Sequence, residues 1–210
     1  MHPLPPSDSR GPEPREEPET ATPPAGGWMG LALLFYGGLL GLALLWDLLA
    51  GEPWLYASPA AAQRGVDPWR DPAVGLLAGS LAVLVSRRLA ESTAWGARSA
   101  RSLAALLGPL PLGRCWLLAL ASGVAEEAFF RGALQPRVGI AAASLLFGAA
   151  HFAPRRDLWP WTASALAAGF LLGLLFEVTG NLVAPIAAHT AVNAANLRWL
   201  ARRYPSRPGL

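Results

Sequence analysis

The sequence has no lysine, a single cysteine and three histidines in 210 residues, and charged side chains make up only 15% of it. Soluble domains carry about a quarter charged residues. With 53% apolar side chains and a mean hydropathy of +0.33, this shortage of charge excludes an ordinary soluble enzyme. The lone Cys115 excludes an intrachain disulfide and any cysteine-based zinc site within one chain. All 17 basic residues are arginine, and the formal charge of +3 hides an uneven split. Residues 1–27 hold five acids (Asp8, Glu13, Glu16, Glu17, Glu19) and two arginines, leaving −3 there and +6 in the remainder. No nucleic-acid partner and no cofactor are expected.

What is abundant is apolar sequence in long runs. Residues 1–27, with eight prolines and almost nothing to bury, read as a disordered acidic tail. They lack the short basic start of a signal peptide, so the next run is expected to stay as an anchor. Trp28 to Ala50 carries one charge, Asp47, and is long enough for a hydrocarbon core that about 20 apolar residues cross. Gly51 to Pro72, broken by Pro53, Pro59, Pro68 and Pro72, reads as a connection outside the bilayer. Ala73 to Ser86 is apolar but short. From Arg87 to Leu107, Arg87, Glu91, Arg98 and Arg101 share one helical face, with Leu89, Leu103, Leu106 and Leu107 opposite. That pattern suits either a helix on the membrane surface or an arginine-rich extension of the second span.

After Pro109 and Pro111 come four more apolar stretches: Leu112–Leu134, Val138–Phe152, Leu158–Phe176 and Leu182–Trp199. The expected fold is all-α, a polytopic transmembrane helical bundle of about six spans. Residues 28–111 are expected to form N-terminal transmembrane and interfacial helices, and 112–203 a helical core. Arginines gather at 87, 88, 98, 101 and 114, at 155 and 156, and at 198, 202, 203 and 207. The positive-inside rule puts these, with both termini, in the cytoplasm and the 51–72 connection outside. Arg64, Arg70 and Arg137 fall on the far side.

Polar residues inside the apolar runs are few, and each is expensive. Glu126, Glu127 and Arg131 lie in one such run, at roughly 2.5–3.5 kcal/mol each near the bilayer centre on insertion scales. Glu127 and Arg131 are four apart, acid first, and stack as an ion pair on one helix face. Glu126 is rotated by about 100° and has no such partner. Phe147 and His151 are four apart in another run, as are His189 and Asn193 in the last. A single histidine in an apolar helix is more often a packed core residue than a catalyst. Here both histidines of the body join short polar motifs, and intramembrane ionisable groups mark functional sites by default.

One carboxylate, two imidazoles and an amide suit hydrolysis. A carboxylate with a histidine can activate water as general base, and a second histidine with an amide can donate to the oxyanion that forms. No serine sits in a nucleophile-elbow context. Two histidines and a glutamate could instead hold zinc, though HExxH is absent. A transport path is a further use of such residues, against which stands the lack of a visible internal repeat.

In order along the chain, Glu126-Glu127-x-x-x-Arg131, Phe147-x-x-x-His151 and His189-x-x-x-Asn193 resemble the three motifs of the CPBP family, the CAAX proteases and bacteriocin-processing enzymes also called Abi. Gly132 and the segment Thr179 to His189, TGNLVAPIAAH, are similar to that family as well. The resemblance covers about Leu112 to Leu200. It implies an intramembrane glutamic endopeptidase in which Glu126 activates water with His151, while His189 and Asn193 form the oxyanion site. Glu127 and Arg131 would support Glu126, with Phe147 beside His151, and no metal would be bound. The implied partners are the lipid bilayer and a membrane-anchored protein or peptide, cut at a C-terminal sorting signal or a bacteriocin-type leader. The all-arginine basicity with abundant alanine, glycine and proline suggests a GC-rich bacterial genome, and for a membrane protein of such a source the inner (plasma) membrane is the expected location. A noncatalytic scaffold or self-immunity protein is the alternative.

Overall fold

The computed structural model describes residues 27–51 and 55–205. Of the tail expected to be disordered, all but its last residue lies outside the described residues, as does Arg207. The elements are α1 (Gly27–Ala50), α2 (Pro59–Arg64), α3 (Arg70–Ser92), α4 (Ala94–Leu107), α5 (Leu112–Glu127), a π-helical segment (Ala128–Leu134), α6 (Gln135–Ala150), a 3₁₀ turn (Arg156–Leu158), α7 (Trp159–Thr179) and α8 (Val183–Arg203). The all-α expectation holds, with one isolated antiparallel bridge, Tyr56 to Asn181, among the described residues.

Four helical runs are long and apolar enough to cross a membrane: Trp28–Ala50, Arg70–Ser92, Leu112–Ala150 and Arg156–Thr179. They make the chain an integral membrane protein, and leucines such as Leu34, Leu48 and Leu77 stand bare on their outer faces, as lipid-facing side chains do. Among the described residues such runs number four, against the six or so spans expected. The expected runs 112–134 and 138–152 belong to one helical stretch, which turns back at Gly139, where φ is 79°. Phe130 and Phe147 meet across that reversal with ring centroids 5.1 Å apart. The returning arm is only eleven residues long, and α8 carries His189, Asn193, Asn196, Arg198, Arg202 and Arg203, too polar a set to count as an apolar span.

The 87–107 region divides between the two readings given for it. Helix α3 runs on through Arg87 and Glu91 to Ser92, and Thr93 then starts a separate helix by accepting a hydrogen bond from the Gly96 backbone N–H at 3.0 Å. Helix α4 buries Gly96, Ser99, Ala100 and Ala104, and Ala100 and Ala104 pack against Leu200 of α8. At this end Arg88, Arg98, Arg101, Arg155, Arg156, Arg198, Arg202 and Arg203 are all exposed. At the opposite end Arg137 pairs with the buried Asp47 at 3.6 Å and lies over Trp46, which answers the one charge in the first span.

That opposite end is fastened by Asp71, which is fully buried yet fully used. It accepts from Arg70 Nε at 2.8 Å, from the Asp67 backbone N–H at 3.0 Å and from Asn181 Nδ2 at 2.7 Å. Asn181 Oδ1 in turn accepts from the Val183 N–H at 3.0 Å, so the TGN turn before α8 is locked to the start of α3. Asp67, exposed beside this knot, accepts from the Trp69 and Arg70 N–H groups, which hold its carboxyl below the usual range.

From there α3 and α8 run in close contact through Gly75 and Gly79, a small-x-x-x-small pair of the kind that lets membrane helices approach. A Cβ on Gly75 would lie 2.2 Å from the Ala184 carbonyl oxygen, and one on Gly79 would lie 2.8 Å from that of Ala188. Gly75→Ala is therefore expected to cost about 1–3 kcal/mol, the usual range for overpacking, measured as a lower unfolding temperature in detergent. Gly38→Ala in α1, where nothing lies within 4 Å, is the control and is expected to be neutral or stabilising. Equal behaviour of the two variants would refute the close contact.

Candidate active site

Ala188 leads directly to His189, so the α3–α8 contact sets the depth of the α8 polar residues. Helix α5 lies between α1 and α8. Met29 packs with Cys115 and Leu118, and Ala43 with Ala128 and Ala133, so α1 and α5 run side by side in the same direction. With neighbours on both sides, consecutive carboxylates that diverge by about 100° are both buried: Glu126 is 6% exposed and Glu127 not at all. The backbone changes to π-helix immediately after them, a deviation that recurs at functional sites.

Glu127 Oε1 accepts from Arg131 Nη1 at 3.1 Å, the expected local pair, and also from His189 Nδ1 at 2.7 Å. Arg131 Nη2 donates to the Gly169 carbonyl at 3.1 Å, and its guanidinium lies 4.4 Å from the Phe147 ring centroid. Phe147 also meets the rings of His151 at 4.5 Å and His189 at 6.0 Å, so one aromatic ring spaces the arginine and both imidazoles. His151 closes α6, its Nδ1 at 2.8 Å from the Phe147 carbonyl oxygen. Thr162 Oγ1 donates to the His151 carbonyl at 3.0 Å, and Trp161 stands edge-on to the ring.

These partners fix the tautomers. A carbonyl and a carboxylate only accept, so each histidine carries a proton on Nδ1 and, while neutral, turns the Nε2 lone pair toward Glu126. His151 Nε2 is 3.7 Å and His189 Nε2 is 3.9 Å from Glu126 Oε2. That oxygen has no hydrogen-bond partner among the described residues. Three lone-pair atoms thus converge on one point, an arrangement that needs a donor such as water between them. Among the described residues no group of three His, Cys, Asp or Glu is arranged to hold a metal ion.

Asn193, one turn beyond His189, donates from Nδ2 to Ser122 Oγ at 2.9 Å, and Ser122 lies one turn before Glu126. All seven residues singled out in the sequence therefore surround one centre, Phe147, Glu127 and Arg131 behind Glu126, His151, His189 and Asn193. Two contributors were missed there. Ser122 was detectable as a polar residue four before Glu126, and Tyr36 as a phenol inside an apolar run, since a buried Tyr hydroxyl usually finds a partner. The Tyr36 hydroxyl donates to Glu126.

Residues 108–195, which contain this whole set except Tyr36, match the family model described as type II CAAX prenyl endopeptidase Rce1-like. This segment is Rce1-like. The resemblance drawn from the three motifs is borne out over it, and the Rce1-like family is one of membrane proteases. The chain is also similar to the uncharacterized protein YpbD of Bacillus subtilis (strain 168), 46% identical over 79 residues. That stretch is 37% of this chain and 40% of YpbD, so the chain spans well under half the length of the curated relative it matches. No solved structure matches significantly.

Proposed function

We propose that the protein is an intramembrane endopeptidase in which Glu126 and His151 activate water against a peptide bond of a membrane-anchored protein or peptide. The observation that carries this reading is the unpartnered, buried Glu126 Oε2 facing two imidazole lone pairs. Water lodged there gives one proton to Glu126 or His151 as its oxygen bonds to the substrate carbonyl carbon. The same proton then goes to the leaving amine as the C–N bond breaks, leaving a carboxyl product and a free amine. His189 donates to the developing oxyanion from Nε2. With its Nδ1–H committed to Glu127, His189 donates from Nε2 only as an imidazolium, its second proton taken up from solvent before the attack and retained through it, and Glu127 is its counter-charge. Asn193 is the second donor, one of its amide hydrogens being taken by Ser122. Arg131 and Phe147 keep Glu127 and the two rings in register. The arginine-rich end, by the positive-inside rule, faces the cytoplasm. The family description supports a CAAX-type substrate, and a C-terminal sorting segment or peptide leader is the alternative.

The test uses the full chain in liposomes with two quenched-fluorescence peptides, one S-farnesylated near its C-terminus and one carried on a transmembrane anchor. Cleavage of at least one is expected, undiminished by excess 1,10-phenanthroline. Loss of activity in chelator, restored by one equivalent of zinc, would replace the water-activating glutamate with a metal centre. The scaffold alternative predicts that a triple Glu126→Gln, His151→Ala, His189→Ala variant still complements a strain lacking the gene. Such complementation would sink the protease reading.

A further inference from the structure

Helix α1 lies outside the family-matched segment, yet it reaches the candidate site. Its register against α5 is set at two points, Met29 beside Cys115 and Leu118, and Ala43 beside Ala128 and Ala133. Tyr36 falls midway between them, on the inner face of α1, and so opposite the turn of α5 that carries Ser122 and Glu126. Its ring packs on the Met29, Leu110, Cys115 and Leu118 cluster, while its neighbour Phe35 is exposed on the outer face. Its hydroxyl donates to Glu126. Since Oε2 of Glu126 has no hydrogen-bond partner among the described residues, that bond falls on Oε1.

We infer that Tyr36 is a positioning residue of the hydrolytic site, holding one oxygen of Glu126 so that the other points at His151 and His189. This rests on the proposed role of Glu126. A carboxylate on two flexible torsions can present either oxygen or turn away altogether. A phenol fixed by its ring in an apolar cluster removes that freedom, and it does so without competing for the oxygen that faces the histidines. The first transmembrane helix is thereby part of the site and not only an anchor. Any displacement of α1, which borders lipid on its other face, would also release Glu126.

The experiment compares Tyr36→Phe with the parent in liposomes, on the two anchored fluorogenic peptides. Tyr36→Phe keeps the ring and hence the packing. Leu34→Ala, on the lipid side, controls for disturbance of α1 and is expected to leave activity unchanged. For Tyr36→Phe, kcat is expected to fall about tenfold to a hundredfold, as for loss of a hydrogen bond to a charged group, with KM and unfolding temperature unchanged. A second readout does not need turnover: the carboxyl infrared band of Glu126, assigned by its loss in Glu126→Gln, is expected to shift in Tyr36→Phe. A kcat within twofold of the parent with an unmoved band would overturn the inference, as would a raised KM at constant kcat, which marks a substrate contact instead. If the parent cleaves neither peptide, the protease reading fails on these substrates, and the infrared band alone still decides whether Tyr36 holds Glu126.

Discussion

Glu126→Gln is expected to abolish proteolysis while leaving a folded, membrane-inserted protein at least as stable as the parent. The two halves of this expectation have separate causes. Glutamine keeps the shape of the side chain and can still accept from Tyr36, but it cannot take a proton from water at the point where His151 Nε2 and His189 Nε2 converge. Loss of a general base costs on the order of 10²–10⁴-fold in rate. Stability moves the other way because Glu126 Oε2 is buried without a protein partner, and an unpaired buried carboxylate is a burden on the fold. The amide that replaces this carboxylate is neutral, and its N–H groups can donate to the histidine lone pairs that Glu126 leaves facing an acceptor. Activity is read from cleavage of the anchored fluorogenic peptides, and stability from thermal unfolding in detergent. A fully active variant would remove Glu126 from the chemistry. An inactive variant that also unfolds early would mean that the carboxylate is structural after all.

Much of this was legible in the sequence because lipid makes polar residues conspicuous. In a soluble protein a Glu-Glu pair or a lone His would vanish among dozens of others; here Glu126, Glu127, Arg131, His151, His189 and Asn193 stood out against leucine and alanine. What local spacing could not reach was contact between distant elements. The i, i+4 rule found Arg131 for Glu127 but not His189, which arrives from 62 residues later on another helix. It assigned Glu127 a wholly local task, whereas the carboxylate also fixes an imidazole. Tyr36 and Ser122 escaped because a single hydroxyl in an apolar helix is common, and only the register of α1 and α8 on α5 gives each its partner. Span counting failed for a related reason. Apolar composition locates segments that enter lipid, but it does not show the chain reversal at Gly139, and the polar residues of α8 were weighed as a site and not against its length as a span. The close α3–α8 contact was written as Gly75-x-x-x-Gly79, and its partner face of Ala184 and Ala188 became visible only in three dimensions.

Glu127→Gln is expected to behave in the opposite way to its neighbour, losing about 3–5 kcal/mol of stability, the usual cost of breaking one side of a buried ion pair. Arg131 is 1% exposed and, in place of a carboxylate, would keep the Gly169 carbonyl and the Phe147 and Phe130 rings as neighbours. The measurement is again thermal unfolding in detergent, and its decisive form is a double variant. Replacing both charges, Glu127→Gln with Arg131→Leu, leaves neither member of that pair as a lone buried charge and is expected to recover part of the lost stability, since removing both partners costs less than removing one. Activity is not expected to return with it. The reason is His189: its Nδ1–H would then face a neutral amide oxygen or none, the ring would lose both its orientation and its counter-charge, and the imidazolium proposed as oxyanion donor would be unsupported. Recovery of stability together with activity would confine Glu127 to the ion pair with Arg131. Recovery of stability alone would separate the two tasks of one carboxylate, holding the helix through Arg131 and holding the acid form of His189 through Nδ1.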